Sequence, residues 1–159
     1  VAGYHQALAG VIDGFRGVRL EKVGQDARAF RVLFEDGGVR YELGLDEMSD
    51  GQRALLALYA LVHLTAGQGY TLLLDEPDNY VALAEIQPWL VALSDACGES
   101  VRQTVICSHH PELIDYLGGD RGVMLARESS GVVTARRLEA TAAGAGLKLS
   151  EVVARGWAR

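Results

Sequence analysis

Two adjacent carboxylates at the end of an apolar run are the strongest chemical signal in the sequence. Asp75 and Glu76 directly follow Leu72–Leu74, and Pro77 after them ends the run. A short apolar run bounded by turn signals is typical of a strand buried on both faces, as in a parallel sheet. Because ligands bind at the carboxyl ends of such strands, Asp75 could hold Mg²⁺ and Glu76 could orient or deprotonate an attacking water. A pair of solvated acids at a strand end is the alternative.

A second cluster lies at a predicted helix start. Ser49 and Gln52 have the Ser-x-x-Gln spacing of a capping box, so we expect a helix to begin here. Exposed amide groups, the positive end of the helix dipole and the serine hydroxyl together suit a phosphate. Gly51 would let a phosphate approach the backbone closely, and a capping box does not require glycine at that position. An ordinary helix cap is the alternative.

A third cluster follows the next apolar run. Ser108, His109 and His110 come directly after Gln103–Cys107. If this run is the neighbouring strand of the same sheet, a histidine beside the carboxylate pair could polarise a γ-phosphate. A loop histidine without a role is equally compatible with the sequence. A zinc site is less favoured, because neighbouring residues rarely bind one metal and no third ligand at a suitable spacing is evident.

The spacing of apolar residues predicts the elements that position these clusters. The chain begins with a helical pattern, continues with an alternating strand, and then shows a β-hairpin over residues 28–43. The elements that follow are helix 49–67, strand 70–75, helix 81–97, strand 103–109, short helix 111–117, strands 122–126 and 132–138, and helix 147–157. This βαβ series predicts an α/β fold with a mainly parallel sheet flanked by helices and an N-terminal β-hairpin region.

Size and composition limit the classes of function. The 159 residues suffice for one domain or one lobe of a larger domain, and 49% of them are hydrophobic. A net charge of −6 counts against a chain that grips nucleic acid by itself, since such chains are usually basic. No run approaches the roughly 20 apolar residues that span a bilayer, and the N-terminus lacks a signal-peptide pattern. We therefore expect a cytoplasmic protein that uses no membrane, and the missing initiator methionine suggests a fragment.

In order and spacing, the three clusters resemble the C-terminal half of an ABC-type ATPase head. Met48–Arg53 resembles the signature motif, and Leu72–Pro77 resembles the Walker B strand with its catalytic glutamate. Asp78–Val81 takes the place of the D-loop, and Ser108–His109 takes that of the switch histidine. The resemblance covers about residues 40–125 and implies the P-loop NTPase fold.

Two departures from ABC transporters narrow the resemblance. The segment ahead of the signature is a predicted hairpin, as in heads of the SMC, RecF and OLD kind, whereas in transporters it is helical. The D-loop also lacks the transporter pattern Ser-Ala-Leu-Asp. The closing stretch Leu149–Trp157 is similar to the end of bacterial predicted ATPases of the AAA-21 and AAA-15 type.

The resemblance implies an ATPase that works as a homodimer, with two heads enclosing two ATP molecules. The resemblance implies that Asp75, Glu76 and His109 act on the nucleotide of their own protomer, and that Asp75 holds Mg²⁺. The residues implied to bind the partner's nucleotide in trans are Ser49, Gly51 and Gln52. Between the two sites lie the D-loop residues Asp78 and Asn79.

The chain lacks one part that the resemblance requires. A Gly-x-x-x-x-Gly-Lys-Ser/Thr loop should cradle the phosphates, but the only lysines are Lys22 and Lys148, and neither follows such a loop. We therefore interpret residues 1–159 as a single lobe that needs an N-terminal Walker A lobe, in the same native chain or as a separate polypeptide. Without it we expect no ATPase activity.

Three other functions stay open from the sequence. The first is an ATPase subunit of DNA repair or defence, similar to SMC or RecF heads, although the acidic charge gives no support to nucleic-acid binding. The second is a non-catalytic lobe that only binds a partner, against which the presence of Asp75, Glu76 and His109 counts. A transporter subunit is the least favoured.

Overall fold

The computed structural model describes residues 2–138 and 146–156. The helices are α1 Ala2–Ala9, α2 Asp50–His63, α3 Leu83–Ala96, α4 Pro111–Arg121 and α5 Leu149–Ala154. The strands are β1 Phe15–Val23, β2 Ala27–Asp36, β3 Val39–Gly44, β4 Thr71–Asp75, β5 Gln103–Cys107, β6 Val123–Arg127 and β7 Val133–Arg137. A 3-10 turn, Leu45–Glu47, precedes α2. The predicted order of helices and strands is confirmed.

Three helices are shorter than the sequence indicates, and the helix predicted over 81–97 is observed as Leu83–Ala96. The helix predicted over 49–67 ends at His63, because Leu64 caps it and the glycines that follow favour turns. The helix predicted over 147–157 is observed as Leu149–Ala154, and Trp157 lies outside the described residues. The β5 strand ends at Cys107, so Ser108 and His109, which the predicted strand over 103–109 included, lie in the segment after it.

The chain divides into two compact units, Val1–Ile106 and Cys107–Arg159. The first unit contains α1 to α3, β1 to β4 and the residues of β5 as far as Ile106. The second contains α4, α5, β6 and β7. Within the described ranges the strands form three sheets, with strand orders β1-β2-β3, β4-β5 and β6-β7. The fold is therefore α/β, as predicted.

The N-terminal sheet is an antiparallel meander with one apolar and one charged face. The pairs Val18↔Val32 and Val32↔Leu43 place three aliphatic side chains on the same face. On the opposite face, the Arg19 guanidinium binds the Glu42 carboxylate with Nη2 and Oε2 2.6 Å apart. That hydrogen bond lowers the pKa of the exposed Glu42 carboxyl. The hairpin predicted ahead of the signature is thus confirmed as β2 and β3.

In the core of the first unit, α1 and α3 each form a buried hydrogen bond with α2. The Tyr4 hydroxyl of α1 donates to the Leu56 carbonyl over 3.0 Å, and the Trp89 indole of α3 donates to the Leu58 carbonyl over 3.0 Å. Trp89 is fully buried, and burying such a side chain contributes roughly 2–3 kcal/mol through the hydrophobic effect. Both neighbours thus contact the middle of α2, whose first turn carries the residues that resemble a signature motif.

The β4–α3–β5 segment has the strand–helix–strand order of the predicted βαβ unit, and β4 and β5 are hydrogen-bonded neighbours. Burial alternates along both strands: Leu72 is buried, whereas Leu73 is 76% exposed and Val105 is 45% exposed. The prediction that these strands are buried on both faces is therefore wrong for the described chain. The exposed side of the two strands, which carries Leu73 and Val105, is called here the open face of β4 and β5.

The second unit is organised by a cap between its two helices. The Asp115 carboxylate of α4 accepts hydrogen bonds from the Ser150 amide at 2.8 Å and from the Ser150 hydroxyl at 2.9 Å. These bonds satisfy donors at the start of α5, which its own N-cap Lys148 leaves uncapped. The predicted pairing of two late strands is confirmed as the β6–β7 hairpin. No helix within the described ranges is long and apolar enough to cross a membrane.

Acidification should destabilise the first unit through His63. This residue ends α2, stacks on Tyr59 with ring centroids 6.1 Å apart, and has a buried Nε2 without a hydrogen-bond partner among the described residues. Burial lowers the pKa of His63, so the folded state favours the neutral ring. The free energy of unfolding should be retained above about pH 6.5 and fall as the pH decreases through the folded pKa. Chemical denaturation between pH 8 and 5 measures this.

The matched variants separate His63 from other titrating groups. His63→Phe keeps a stacking ring without a proton-binding site, so it should flatten the pH dependence. Tyr59→Phe keeps the stack and the histidine, and should leave the pH dependence as in the parent chain. Equal pH profiles for the parent chain and His63→Phe would show that His63 is not responsible.

Candidate functional site

The turn after β4 carries the predicted acids in an unusual backbone conformation. Asp75 ends β4 with an exposed side chain, and Glu76 after it is half-buried with φ of +46°. The turn is closed by the Asn79 amide, which donates to the Glu76 carbonyl over 3.1 Å. A non-glycine residue in the left-handed region costs of the order of 1 kcal/mol or more, and such residues cluster at functional sites. The backbone conformation thus sets the direction in which the Glu76 side chain leaves the turn.

The two predicted D-loop residues have opposite environments. Asp78 is only 6% exposed, and it is the one buried charged side chain among those that the structure describes. Its carbonyl accepts from the Val81 amide over 3.2 Å, whereas the Asn79 side chain is exposed. Asp78 therefore belongs to the interior of the turn, and Asn79 is the member of the pair that another molecule can reach.

The first turn of α2 has the predicted capping box. The Gln52 amide donates to Ser49 Oγ, and the Ser49 amide donates to Gln52 Oε1, each over 3.2 Å. Both side-chain oxygens act as acceptors here, so the Ser49 hydroxyl hydrogen and the Gln52 amino group remain able to donate to a ligand. The backbone amides of Asp50 and Gly51 have no intrahelical carbonyl to bond. The arrangement is a set of donors that suits an oxyanion.

A steric contact also explains why residue 51 is glycine. A Cβ atom built on Gly51 would lie 2.6 Å from the Tyr80 carbonyl oxygen, which is too close for any side chain. The sequence suggested that Gly51 admits a phosphate; the group that the structure places against it is the backbone of the turn after β4. The contact brings the first turn of α2, which carries the predicted signature residues and which we call the signature turn, against the turn that carries Glu76.

The two adjacent histidines differ in their roles. His110 is the N-cap of α4: its Nδ1 accepts from the Glu112 amide over 3.2 Å, and its own amide donates to Ser108 Oγ over 3.0 Å. His109 has an exposed side chain. The capping contact accounts for His110, whereas a ligand role for His109 stays a prediction. Its place relative to Asp75 stays a prediction.

The donors at the end of β4 fit a magnesium ion. Mg²⁺ prefers oxygen ligands and is commonly held by one or two carboxylates, with water and substrate phosphates completing the shell. The exposed Asp75 carboxylate meets that requirement. No group of three or more His, Cys, Asp and Glu residues that could hold a metal is found in the described part of the chain.

Sequence reasoning missed Tyr80 and the role of its carbonyl. Tyr80 has φ of +70°, and together with Glu76 it is one of the two non-glycine residues described with a positive φ. Tyrosine rarely takes this conformation, so the residue type gave no signal for it. The glycine at position 51 was the one indirect sign that some group approaches the helix closely.

Comparisons with known proteins agree with the geometry. A solved structure described as "Structural biochemistry of ATP-driven dimerization and DNA stimulated activation of SMC ATPases" matches with a TM-score of 0.67 and 16% sequence identity. The match covers 98% of this chain and 89% of that chain, so the fold is that of an SMC ATPase head. No curated protein matches the chain. The family described as "AAA domain, putative AbiEii toxin, Type IV TA system" matches residues 2–115, and the chain therefore belongs to this AAA-21 family of ATPase domains.

Proposed function

We propose that the chain is the C-terminal lobe of an ABC-type ATPase head that binds and hydrolyses ATP as a homodimer. The observation that carries the proposal is the contact between Gly51 and Tyr80, which holds the first turn of α2 against the turn of Glu76. The membership in an ATPase family and the SMC-like fold support it. Both compact units would be parts of this one lobe, from residue 1 to residue 159.

Three residues would act on the nucleotide of their own protomer. Asp75 would hold Mg²⁺, which when bound neutralises charge on the phosphates. Glu76, whose backbone is fixed in the left-handed region, would orient and deprotonate the attacking water. His109 would contact the γ-phosphate, while His110 remains the cap of α4. A general base acts only within hydrogen-bond reach of the proton that it removes. A defined backbone conformation at Glu76 therefore favours this role.

The signature turn would act on the partner's nucleotide. Its donors are the Ser49 hydroxyl, the Gln52 amino group and the Asp50 and Gly51 amides, and Ser49 is exposed. A helix N-terminus with these donors stabilises an anion, so a γ-phosphate presented by a second head would complete it. Asn79, exposed in the D-loop, would lie between the two sites.

The Walker A lobe would cover the open face of β4 and β5. Leu73 at 76% and Val105 at 45% exposure are apolar side chains in strands whose sequence pattern is that of buried strands. Exposed Cys107 lies at the end of the same face. A lobe that supplies a phosphate-binding loop and further strands would remove this apolar surface from water, which is the main favourable term in association.

DNA contact is not part of the proposal. The relative's description speaks of DNA-stimulated activation of SMC ATPases, and a defence or repair role would agree with that. The net charge of −6 gives this lobe no electrostatic attraction for a phosphate backbone. A nucleic-acid role would therefore depend on residues outside this chain.

Mixing two inactive variants should restore turnover if the sites are shared between heads. Asp75→Asn damages the nucleotide site of its own protomer. Ser49→Asp keeps a good N-cap but places a negative charge against the partner's phosphate. Each variant of the completed head alone should be inactive. In an equimolar mixture, half the dimers have one intact site, so ATP turnover should reach roughly a quarter of the wild-type rate.

The control is a variant of an exposed residue outside the first turn of α2 and the turn after β4. Asp95→Asn, on the exposed side of α3, should leave turnover unchanged when assayed in the same way. A mixture of Asp75→Asn and Ser49→Asp heads that stays inactive, although dimers form, would contradict the shared site. Full activity of the Ser49→Asp head by itself would contradict the role of the signature turn.

A further inference from the structure

The N-terminal sheet has two edge strands, and they differ in how they are protected. β1 has a register shift between Phe15 and Gly17, and a bulge of this kind twists an edge away from further pairing. β3 pairs with β2 in unbroken register over its whole length, Val39–Gly44. Within the described residues no strand lies against the other side of β3, which we call the outer edge of β3. An unblunted edge of this kind is a template for another strand.

Two observations show which backbone groups of β3 point outward. The Gly44 amide donates to Glu47 Oε2 over 2.7 Å, although Gly44 lies opposite a residue of β2. At the other end, Gly37 and Gly38 have φ of +54° and +82°, as in a type I′ turn, which directs the Val39 amide towards β2. Because hydrogen-bonded and non-hydrogen-bonded pairs alternate along an antiparallel ladder, the even-numbered residues of β3 point their backbone groups outward.

The outward groups belong to Arg40 and Glu42, whose side chains have opposite charges. Arg40 Nε lies 2.9 Å from Glu35 Oε2, and Glu42 Oε2 lies 2.6 Å from Arg19 Nη2. Unpaired charges on an edge strand discourage further pairing, but both of these charges have partners on their own sheet. Tyr41 between them is 43% exposed. The outer edge of β3 therefore combines outward backbone groups with an exposed aromatic ring.

The sequence of β3 is complementary to itself about Tyr41. When two copies pair antiparallel with Tyr41 opposite Tyr41, Arg40 lies opposite the partner's Glu42, and Glu42 lies opposite the partner's Arg40. These residues also carry the outward backbone groups, so the same two pairs supply the backbone hydrogen bonds. The two rings meet in the closely spaced, non-hydrogen-bonded pair, and Val39 meets the partner's Leu43. The arrangement has the reciprocity that a two-fold axis requires.

We propose that the outer edge of β3 is a docking surface for a second copy of this chain, which extends the three strands of each copy into one antiparallel sheet. In this sheet Glu42 lies between its own Arg19 and the partner's Arg40, so charges of opposite sign alternate across the junction. A uniformly acidic or basic strand would meet one like charge, so charge complementarity selects a copy of the same strand. A single strand edge is a small interface, and the Kd should be on the order of 100 μM.

The pairing is separate from the proposed ATP-dependent contact between heads. None of the residues assigned to the nucleotide belongs to β3, and the pairing needs no ATP. It therefore goes beyond the proposed function and can be measured in the absence of nucleotide.

Charge-reversed variants test the pairing by sedimentation equilibrium without ATP. Arg40→Glu and Glu42→Arg each place like charges opposite each other twice, so each variant alone should associate at least tenfold more weakly than the parent chain. An equimolar mixture of the two has opposite charges at both pairs and should associate at least as well as the parent. Each variant lacks the same ion pairs of its own sheet in the mixture as alone. Recovery in the mixture therefore reports contact between copies.

Arg28→Glu and Asp26→Arg are the matched controls. They change the net charge by the same amounts and lie at the exposed tip of the β1–β2 hairpin, whereas β3 pairs only with residues 31–36 of β2. Each should associate as the parent does, alone or mixed. Association of these controls that follows net charge as in the β3 variants would overturn the inference.

Glu42→Pro tests the backbone bonds. The variant removes an amide that points outward and leaves the bonds to β2 in place, and proline is tolerated at such positions of edge strands. It should associate at least fivefold more weakly than Glu42→Ala, which removes the carboxylate alone. Equal affinities of the two variants would overturn the strand pairing.

Two further results would overturn the inference. One is a parent chain that stays monomeric at about 1 mM, ten times the expected Kd. The other is a mixture of Arg40→Glu and Glu42→Arg that associates no better than either variant alone. The completed head without nucleotide should rank the variants in the same order, and a completed head without this ranking would show that the Walker A lobe covers the edge instead. Because ATP turnover enters none of these measurements, the proposed function is tested separately.

Discussion

Replacement of Glu76 by glutamine should abolish ATP turnover by the completed head and leave its ATP-dependent dimerisation intact or stronger. The amide has nearly the shape of the carboxylate but cannot take a proton from the attacking water. Since a general base contributes about 10² to 10⁴ in rate, kcat should fall at least a hundredfold. Dimerisation depends on the nucleotide staying bound between the heads, so slower hydrolysis should prolong the dimer.

The measurement pairs steady-state phosphate release with size-exclusion chromatography in the presence of ATP and Mg²⁺. Glu99→Gln is the matched control, because Glu99 is an exposed glutamate in the turn after α3. It should show wild-type turnover and wild-type dimerisation. Unchanged hydrolysis in Glu76→Gln would remove the basis for assigning this residue as the general base.

The residue types and the backbone act together at Glu76. The left-handed φ of +46° is a cost that the fold accepts, and it fixes where the side chain begins. Replacement by glutamine leaves that backbone in place, so the variant tests the chemistry and not the fold. A loss of stability of more than about 1 kcal/mol in Glu76→Gln would mean that the carboxylate also has a structural role.

Local signals explain why the order of elements could be predicted from the sequence. The Ser49 and Gln52 spacing gives the start of α2, and the structure shows both reciprocal hydrogen bonds of the box. Pro111 begins α4, because the missing amide of proline is tolerated in a first helical turn. These interactions involve neighbours in sequence, so residue type alone suffices to identify them.

Contacts between distant segments could not be predicted in the same way. Aspartate side chains in turns are usually exposed, yet the side chain of Asp78 is only 6% exposed. The approach of Tyr80 to Gly51 depends on how α2 and the β4 turn pack, which no local pattern specifies. The resemblance selected His109 over His110 without a physical reason, and the structure supplies a separate contact for His110 as the cap of α4.

The exposure of the open face of β4 and β5 differs from the sequence prediction for another reason. The sequence of β4 is typical of a strand with both faces buried, and in the described chain one face is exposed. A strand pattern reflects the environment in which the strand functions, which includes partners that a single chain does not contain. The misprediction at Leu73 is for that reason the observation that best supports a covering lobe.

The 159-residue chain by itself should bind ATP weakly, with a Kd in the millimolar range or above. It has the donors of the signature turn and the acids of β4, but no Gly-x-x-x-x-Gly-Lys-Ser/Thr loop to cradle the phosphates. Addition of the Walker A lobe should bring the Kd into the micromolar range, a gain of about 4 kcal/mol. Isothermal titration calorimetry with and without the lobe measures this. Micromolar binding by the chain alone would refute the split-site assignment.

The same experiment can locate the contact between the lobes. Leu73→Lys changes a side chain that is 76% exposed, so the isolated chain should unfold within about 0.5 kcal/mol of the parent. Burial of a leucine contributes roughly 1.5–3 kcal/mol, and a lysine would be buried at a further cost, so lobe affinity should fall at least tenfold.

Leu20→Lys is the matched control for the open face. Leu20 is an equally apolar residue on a strand of the same unit, 60% exposed, but it lies on β1, away from β4 and β5. It should leave lobe affinity unchanged. If Leu73→Lys assembles as well as Leu20→Lys, the lobe does not cover the open face. If only Leu73→Lys lowers the affinity for the lobe, the lobe that supplies the phosphate loop covers the strand that ends in Asp75 and Glu76.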